Sequence, residues 1–187
     1  VGYLNSYTIP VKGLALGEHE VSYDVNDKFF GCFEDSEIQK GSVEVLVRAK
    51  RASSFIELDF EIEGEVVVTC DRCLEEYLQP VSYEGSLFVK FSALIHEDEG
   101  DVIYVDPNEG ELNLAQYIYE SICLSLPYQK VHPADEEGNS TCNQEMLERL
   151  EAIETNFHDD PALIEPEEDE EEEEMPWDEI KKLLDNK

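Results

Sequence analysis

Over residues 3–106 apolar side chains recur mostly at every second position. This is the mark of strands that bury one face, and it commits most of the chain to a sheet. In GSVEVLVRAKR, Val43, Val45 and Val47 alternate with Glu44, Leu46 and Arg48. In SFIELDFEIEGEVVV, Ile56, Leu58, Phe60 and Ile62 alternate with Phe55, Glu57 and Asp59. The two runs read as a hairpin with AKRASS at or near its turn. Gly64 then breaks the pattern before Val66, Val67 and Val68, which lead into TCDRCL. The segments EEYLQPVSYEG and SLFVKFSALI read as a second hairpin, with Pro80 at an edge or bulge because it cannot donate to a ladder. An acidic loop, HEDEGD, precedes a short strand, VIYVD.

Helical spacing takes over at residue 113. Asn113 is placed to cap a helix, with Gln116 three residues on, and Leu114, Ile118, Ile122 and Leu126 form an apolar stripe that Pro127 ends. A second helix is expected over about residues 143–154, with Met146, Leu147, Leu150 and Ile153 on one side. Beyond it, EPEEDEEEEE repels itself and lacks the apolar residues of a packed core. The final MPWDEIKKLLDNK places Trp177, Ile180, Leu183 and Leu184 at helical spacing, either as a segment that docks or as a frayed tail. The fold class expected is α+β: an antiparallel sheet or small barrel with one or two packed helices, plus an acidic C-terminal tail. The division expected is an α+β domain over residues 1–156 and a tail over residues 157–187.

Charge narrows the choice of partner. The formal net charge is −33, and residues 133–187 carry 4 basic and 21 acidic side chains against 9 and 25 in residues 1–132. About half the charge therefore sits on under a third of the chain. Affinity for nucleic acid comes largely from Lys and Arg displacing counterions, so direct binding to bare RNA or DNA is not expected. The same field attracts a basic partner and speeds encounter with it. No run of about 18 apolar residues occurs, and VGYLNSYTIPVKG lacks the layout of a signal peptide. The expectation is a cytoplasmic protein without a membrane partner.

Five cysteines at irregular spacing do not suggest a secreted disulfide framework. Cys70 and Cys73 have the two-residue spacing that lets both thiolates hold one tetrahedral Zn²⁺. The one other plausible pair, His132 and Cys142, lies together in the connection between the two expected helices, remote in sequence from the first pair, so the ligand set for one structural zinc is Cys70, Cys73, His132 and Cys142. Cys142 lies just ahead of the second expected helix, where amide N–H groups would favour a thiolate. Two other readings compete: small buried residues, a common fate of free cysteine, and a redox pair, which fits less well after a hairpin than at a helix start in a βαβ unit. Cys32 and Cys123 read as core or near-core residues.

Catalytic constellations find little support. His19 and His158 have no evident nucleophile beside them, and Ser53 and Ser54 sit in a basic turn without a base. Arg48, Lys50 and Arg51 form the basic cluster of the chain, read as a charged hairpin turn or a local phosphate contact. Three function classes stay in play: a binding factor, a zinc- or thiol-dependent enzyme using Cys70 and Cys73, and a stand-alone acidic chaperone or nucleic-acid mimic.

The hairpin entering CDRCLEEY, the helix followed by LSLP, and the His and Cys residues after it resemble the YceD family, also called domain of unknown function 177. The resemblance covers residues 1–150, most specifically VVVTCDRCLEEY and LNLAQYIYESICLSLPYQKVHP. Its cysteine motif falls on Cys70, Arg72, Cys73 and Leu74, and many members carry further cysteines where this chain has His132 and Cys142. The resemblance implies a cytosolic, non-enzymatic factor in accumulation of large-subunit ribosomal RNA. With the charge, it implies a basic ribosomal protein or a large-subunit assembly intermediate as partner. GNSTCN, the acidic run and the Trp-containing terminus read as a lineage-specific extension.

Overall fold

The alternation in residues 41–69 becomes two long paired strands in the computed structural model, which describes residues 2–34, 36–92, 100–106, 108 and 110–158. The chain divides into two compact units, residues 1–143 and residues 144–187. In the first, a 3₁₀ turn (Tyr3–Ser6) leads to β1 (Thr8–Pro10), β2 (Gly17–Val25), a one-turn helix α1 (Asp27–Phe30), β3 (Gly41–Arg51) and β4 (Phe55–Thr69). There follow β5 (Glu76–Phe91), β6 (Val102–Val105), β7 (Glu111–Asn113) and the helix α2 (Ala115–Leu124). The second unit contains α3 (Gln144–His158), which runs four residues past the expected end.

β2, β3, β4, β5 and β6 form one open sheet in that order, antiparallel except for the parallel pair β5 and β6. β1 and β7 make a separate two-stranded ribbon. The architecture is α+β, and the sheet is not closed into a barrel. Period two puts Val43, Val45, Val47, Ile56, Leu58, Phe60 and Ile62 on one buried face. Against it pack Leu114, Ile118 and Ile122 of the α2 stripe and Phe29 and Phe30 of α1, all at most 1% exposed. Each such side chain contributes about 1.5–3 kcal/mol by leaving water. Tyr117 orients α2, packing at a tilt against Phe60 with ring centres 4.4 Å apart and meeting the Tyr83 hydroxyl at 3.1 Å.

Three sequence expectations meet the structure differently. The turn at residues 52–54 is where AKRASS placed it, closed by the Ala52 N–H donating to the Phe55 carbonyl at 2.9 Å. Gly64 does not break its strand: β4 continues through it, and glycine is required because a Cβ there would lie 2.3 Å from the Ser42 carbonyl oxygen. The second hairpin is a single 16-residue strand, β5, and its partner is β4. Gly85 is not a turn. The ring of Tyr83 lies over it, with the hydroxyl 2.4 Å from where a Cβ would sit, so the missing side chain makes room for an aromatic ring. Pro80 lies where β5 has β4 on one side only, since β6 pairs from Phe88 onward. It occupies the edge position its missing donor demands.

Asn113 caps α2 as expected, its Oδ1 accepting from the Ala115 N–H at 2.8 Å, whereas Gln116 donates to Glu120 instead of reaching back. The basic cluster is engaged by acids and an aromatic ring. Arg48 pairs with Glu61 and Glu20, Lys50 pairs with Asp59 and Glu57, and Arg51 stacks on Phe91 at 4.3 Å. No helix among the described residues is long and apolar enough to cross a membrane. The expectations for the acidic run and for Trp177, Ile180, Leu183 and Leu184 lie outside the described residues.

Candidate metal centre

The TCDRCL stretch is the turn that joins β4 to β5. The Cys70 N–H donates to the Glu75 carbonyl at 2.9 Å and the Leu74 N–H returns to the Cys70 carbonyl at 3.0 Å. Leu74 sits at φ 61°, a left-handed conformation uncommon for a residue with a side chain. Earlier in the turn the Arg72 N–H points at the Cys70 sulfur at 3.4 Å. A second segment is fastened to the turn by a reciprocal pair. The Asp71 N–H donates to the Lys130 carbonyl, and the Lys130 N–H donates to the Asp71 carboxylate, both at 2.7 Å.

That clamp delivers His132, and a small hairpin brings back Cys142. The Asp135 carboxylate accepts from the N–H groups of Glu137 and Asn139 and holds a turn through Gly138, at φ 87°. Its strands touch at Ala134 and Ser140, and the Thr141 hydroxyl donates to the Pro133 carbonyl. Residues 132 and 142 therefore face one another across ten positions of sequence. Asn143 adds a tie to Glu75 at 2.7 Å.

The four expected ligands converge. Their donor atoms lie within 4.8 Å of one another, with Cys70 and Cys142 sulfurs 3.7 Å apart. His132 Nδ1 is 3.4 Å from the Cys73 sulfur and 3.8 Å from that of Cys142. A tetrahedron with Zn–S of about 2.3 Å and Zn–N of about 2.0 Å has edges of about 3.8 Å (S to S) and about 3.5 Å (S to N). The spacing fits that geometry and greatly exceeds the ~2.05 Å of a disulfide. The three cysteines are at most 3% exposed, and His132 is half-buried with the Tyr77 ring packed on its imidazole at 4.7 Å.

Burial alone would push the Cys70 thiol up, but N–H groups of Cys73, Arg72 and His132 directed at its sulfur more than offset this. The net result is a thiol pulled down to about 6. Cys142 departs from expectation. The bond with Ser140 lowers it, but burial and the neighbouring Cys70 and Cys73 outweigh that and hold its thiol above the ordinary range. Cys32 and Cys123 stay half-buried and apart from this cluster, Cys32 bonding to the Lys28 carbonyl and Cys123 pushed up by burial. His19 faces the Ala15 carbonyl, which accepts from Nε2 at 2.8 Å. Asp71, Lys130 and Asp135, which position the ligands, carried no spacing signal of their own; the Asp135-to-Gly138 turn chemistry was the one readable hint.

A family model described as large ribosomal RNA subunit accumulation protein YceD matches residues 58–184, so the chain belongs to that family. The match starts inside β4 and runs through the acidic segment. The matched span runs past residue 150, where the resemblance read from the sequence ends, and takes in GNSTCN and the acidic run. No curated protein and no solved structure matches the chain.

Proposed function

We propose that this chain is a non-enzymatic, cytoplasmic factor in large ribosomal subunit biogenesis, acting by binding a basic ribosomal protein or an assembly intermediate that carries one. Membership in a family named for accumulation of large-subunit ribosomal RNA is the observation that carries the process. The charge of −33 selects the chemistry of the partner, because a polyanion repels RNA phosphates and attracts polycations. Cys70, Cys73, His132 and Cys142 are proposed to hold one structural Zn²⁺. Four protein side chains, three of them buried cysteines, support a closed site, whereas catalytic zinc keeps a position open for water or substrate. When bound, the ion would supply a cross-link between the β4–β5 turn and the 132–142 hairpin. The turn itself holds Cys70 ready as a thiolate, and the Asp71 clamp aims His132.

Removing the gene tests the process. Mature large-subunit RNA is expected to fall and to recover with the wild-type chain. Unchanged RNA levels and unchanged subunit profiles in its absence would rule the reading out.

A further inference from the structure

The register lays the outer residues of β2, β3 and β4 in rows across the face opposite α2. One row is Glu20, Arg48 and Asp59, the next is Ser22, Leu46 and Glu61, and the one beyond it is Asp24, Glu44 and Glu63. The first row is neutralised within itself and by the rows beside it: Arg48 lies 2.8 Å from Glu61 and 3.5 Å from Glu20, and Lys50 lies 2.7 Å from Asp59. In the third row, among the described residues, no Lys or Arg comes within ion-pair distance of the three carboxylates. In the middle row sits Leu46, half-buried, at the floor of a groove of about 210 Å³ rimmed by Glu44, Glu61 and Glu63.

Like charges set directly opposite one another weaken a sheet, so this ladder runs against the local rule that Arg48 and Lys50 satisfy elsewhere on the same face. Departures of that kind gather at functional surfaces. The groove also has the form that a long cationic side chain needs: an apolar floor for the methylene stem and carboxylates for the charged head. We infer that it receives an arginine- or lysine-bearing segment of a protein partner, with the stem on Leu46 and the head between Glu44 and Glu63, Glu61 being already held by Arg48. The inference rests on the proposed basic partner and adds where that partner is gripped. Glu44 and Glu63 are exposed and Leu46 and Glu61 half-buried, so the groove is open among the described residues of 1–143, and its sign of charge excludes a phosphate-bearing occupant.

The test is an amide chemical-shift titration of the full chain with octa-arginine. Shifts are expected at Glu44, Leu46 and Glu63. In the Glu44→Gln/Glu63→Gln chain, affinity at those amides is expected to drop about tenfold, as the loss of two exposed ion pairs implies. Glu18→Gln/Glu57→Gln, which removes the same charge at the self-neutralised end, is expected to change it less than about twofold. Leu46→Ser is expected to weaken binding without any change of charge, which attraction by the general field alone cannot do. Shifts confined to residues 165–174, or equal weakening by both double variants, overturn the inference. A lysate pull-down separates the two proposals. Equal recovery of large-subunit proteins by wild type and by Glu44→Gln/Glu63→Gln removes the groove and leaves the function. A groove that binds octa-arginine while wild type recovers no such protein removes the function and leaves the groove.

Discussion

Stripping zinc from the purified chain should lower its thermal midpoint by about 8–16 °C, a figure that follows from the loop the site closes. Cys73 and His132 are 59 residues apart in sequence, and joining them through a metal restrains the unfolded chain much as a covalent link would. The chain-entropy relation gives about 4 kcal/mol for a loop of that length. Mass action gives a similar figure, since free zinc at about a thousand times its dissociation constant stabilises by about 4 kcal/mol. For a chain of this size each kcal/mol moves the midpoint about 2–4 °C. The assay is thermal unfolding by circular dichroism with and without a strong zinc chelator, alongside metal analysis of the protein as purified. Hydrogen exchange localises the effect. Protection should fall first at the Asp71 and Leu74 amides, whose acceptors belong to the turn and its clamp, and last at Val45 in mid-sheet. Cys70→Ser/Cys142→Ser should start with the lower midpoint and not respond to chelator. Well under one zinc per chain, together with a chelator shift below about 2 °C, would refute the reasoning and leave the cysteines as packed core.

Two further outcomes test the fold. Gly64→Ala should cost about 1–3 kcal/mol in urea unfolding, because the added Cβ meets backbone of Ser42 and Val43 that cannot step aside; a neutral result would mean that β3 and β4 are less closely apposed. Burial raises the phenols of Tyr7, Tyr23 and Tyr117, so the folded state keeps protons that the unfolded state releases near pH ~10. Their stabilisation is complete below that pH and is lost as pH rises past it, so the urea midpoint should fall between about pH 10 and pH 11; a midpoint unchanged at pH 11 contradicts the burial.

What the sequence disclosed and what it hid have physical reasons. The alternation in β3 and β4 was readable because each strand buries one face, and the capped stripe of α2 was readable for the same reason. The grouping of Cys70, Cys73, His132 and Cys142, which the structure brings together, was readable through chemistry alone, since these are the thiol and imidazole groups that flank two turns. The convergence itself depends on Asp71 and Lys130, whose bonds run through backbone groups that every residue possesses. Gly85 misled because glycine serves turns and close approaches alike, and only the Tyr83 ring distinguishes them. The helical position of Cys142 suggested a lowered thiol, whereas burial beside two other sulfurs raises it. The acidic ladder was hidden for a different reason. Asp24, Glu44 and Glu63 each look like an ordinary solvent-facing residue of an alternating strand, and only the register places them side by side.

The most direct test of the central claim is a pull-down with the full chain from nuclease-treated lysate across a range of salt. The account predicts recovery of basic large-subunit ribosomal proteins with RNA digested, and weaker recovery as salt rises, because exposed charges more than ~8 Å apart are largely screened at physiological ionic strength. Tight, salt-insensitive retention of naked ribosomal RNA with no ribosomal protein recovered would contradict it.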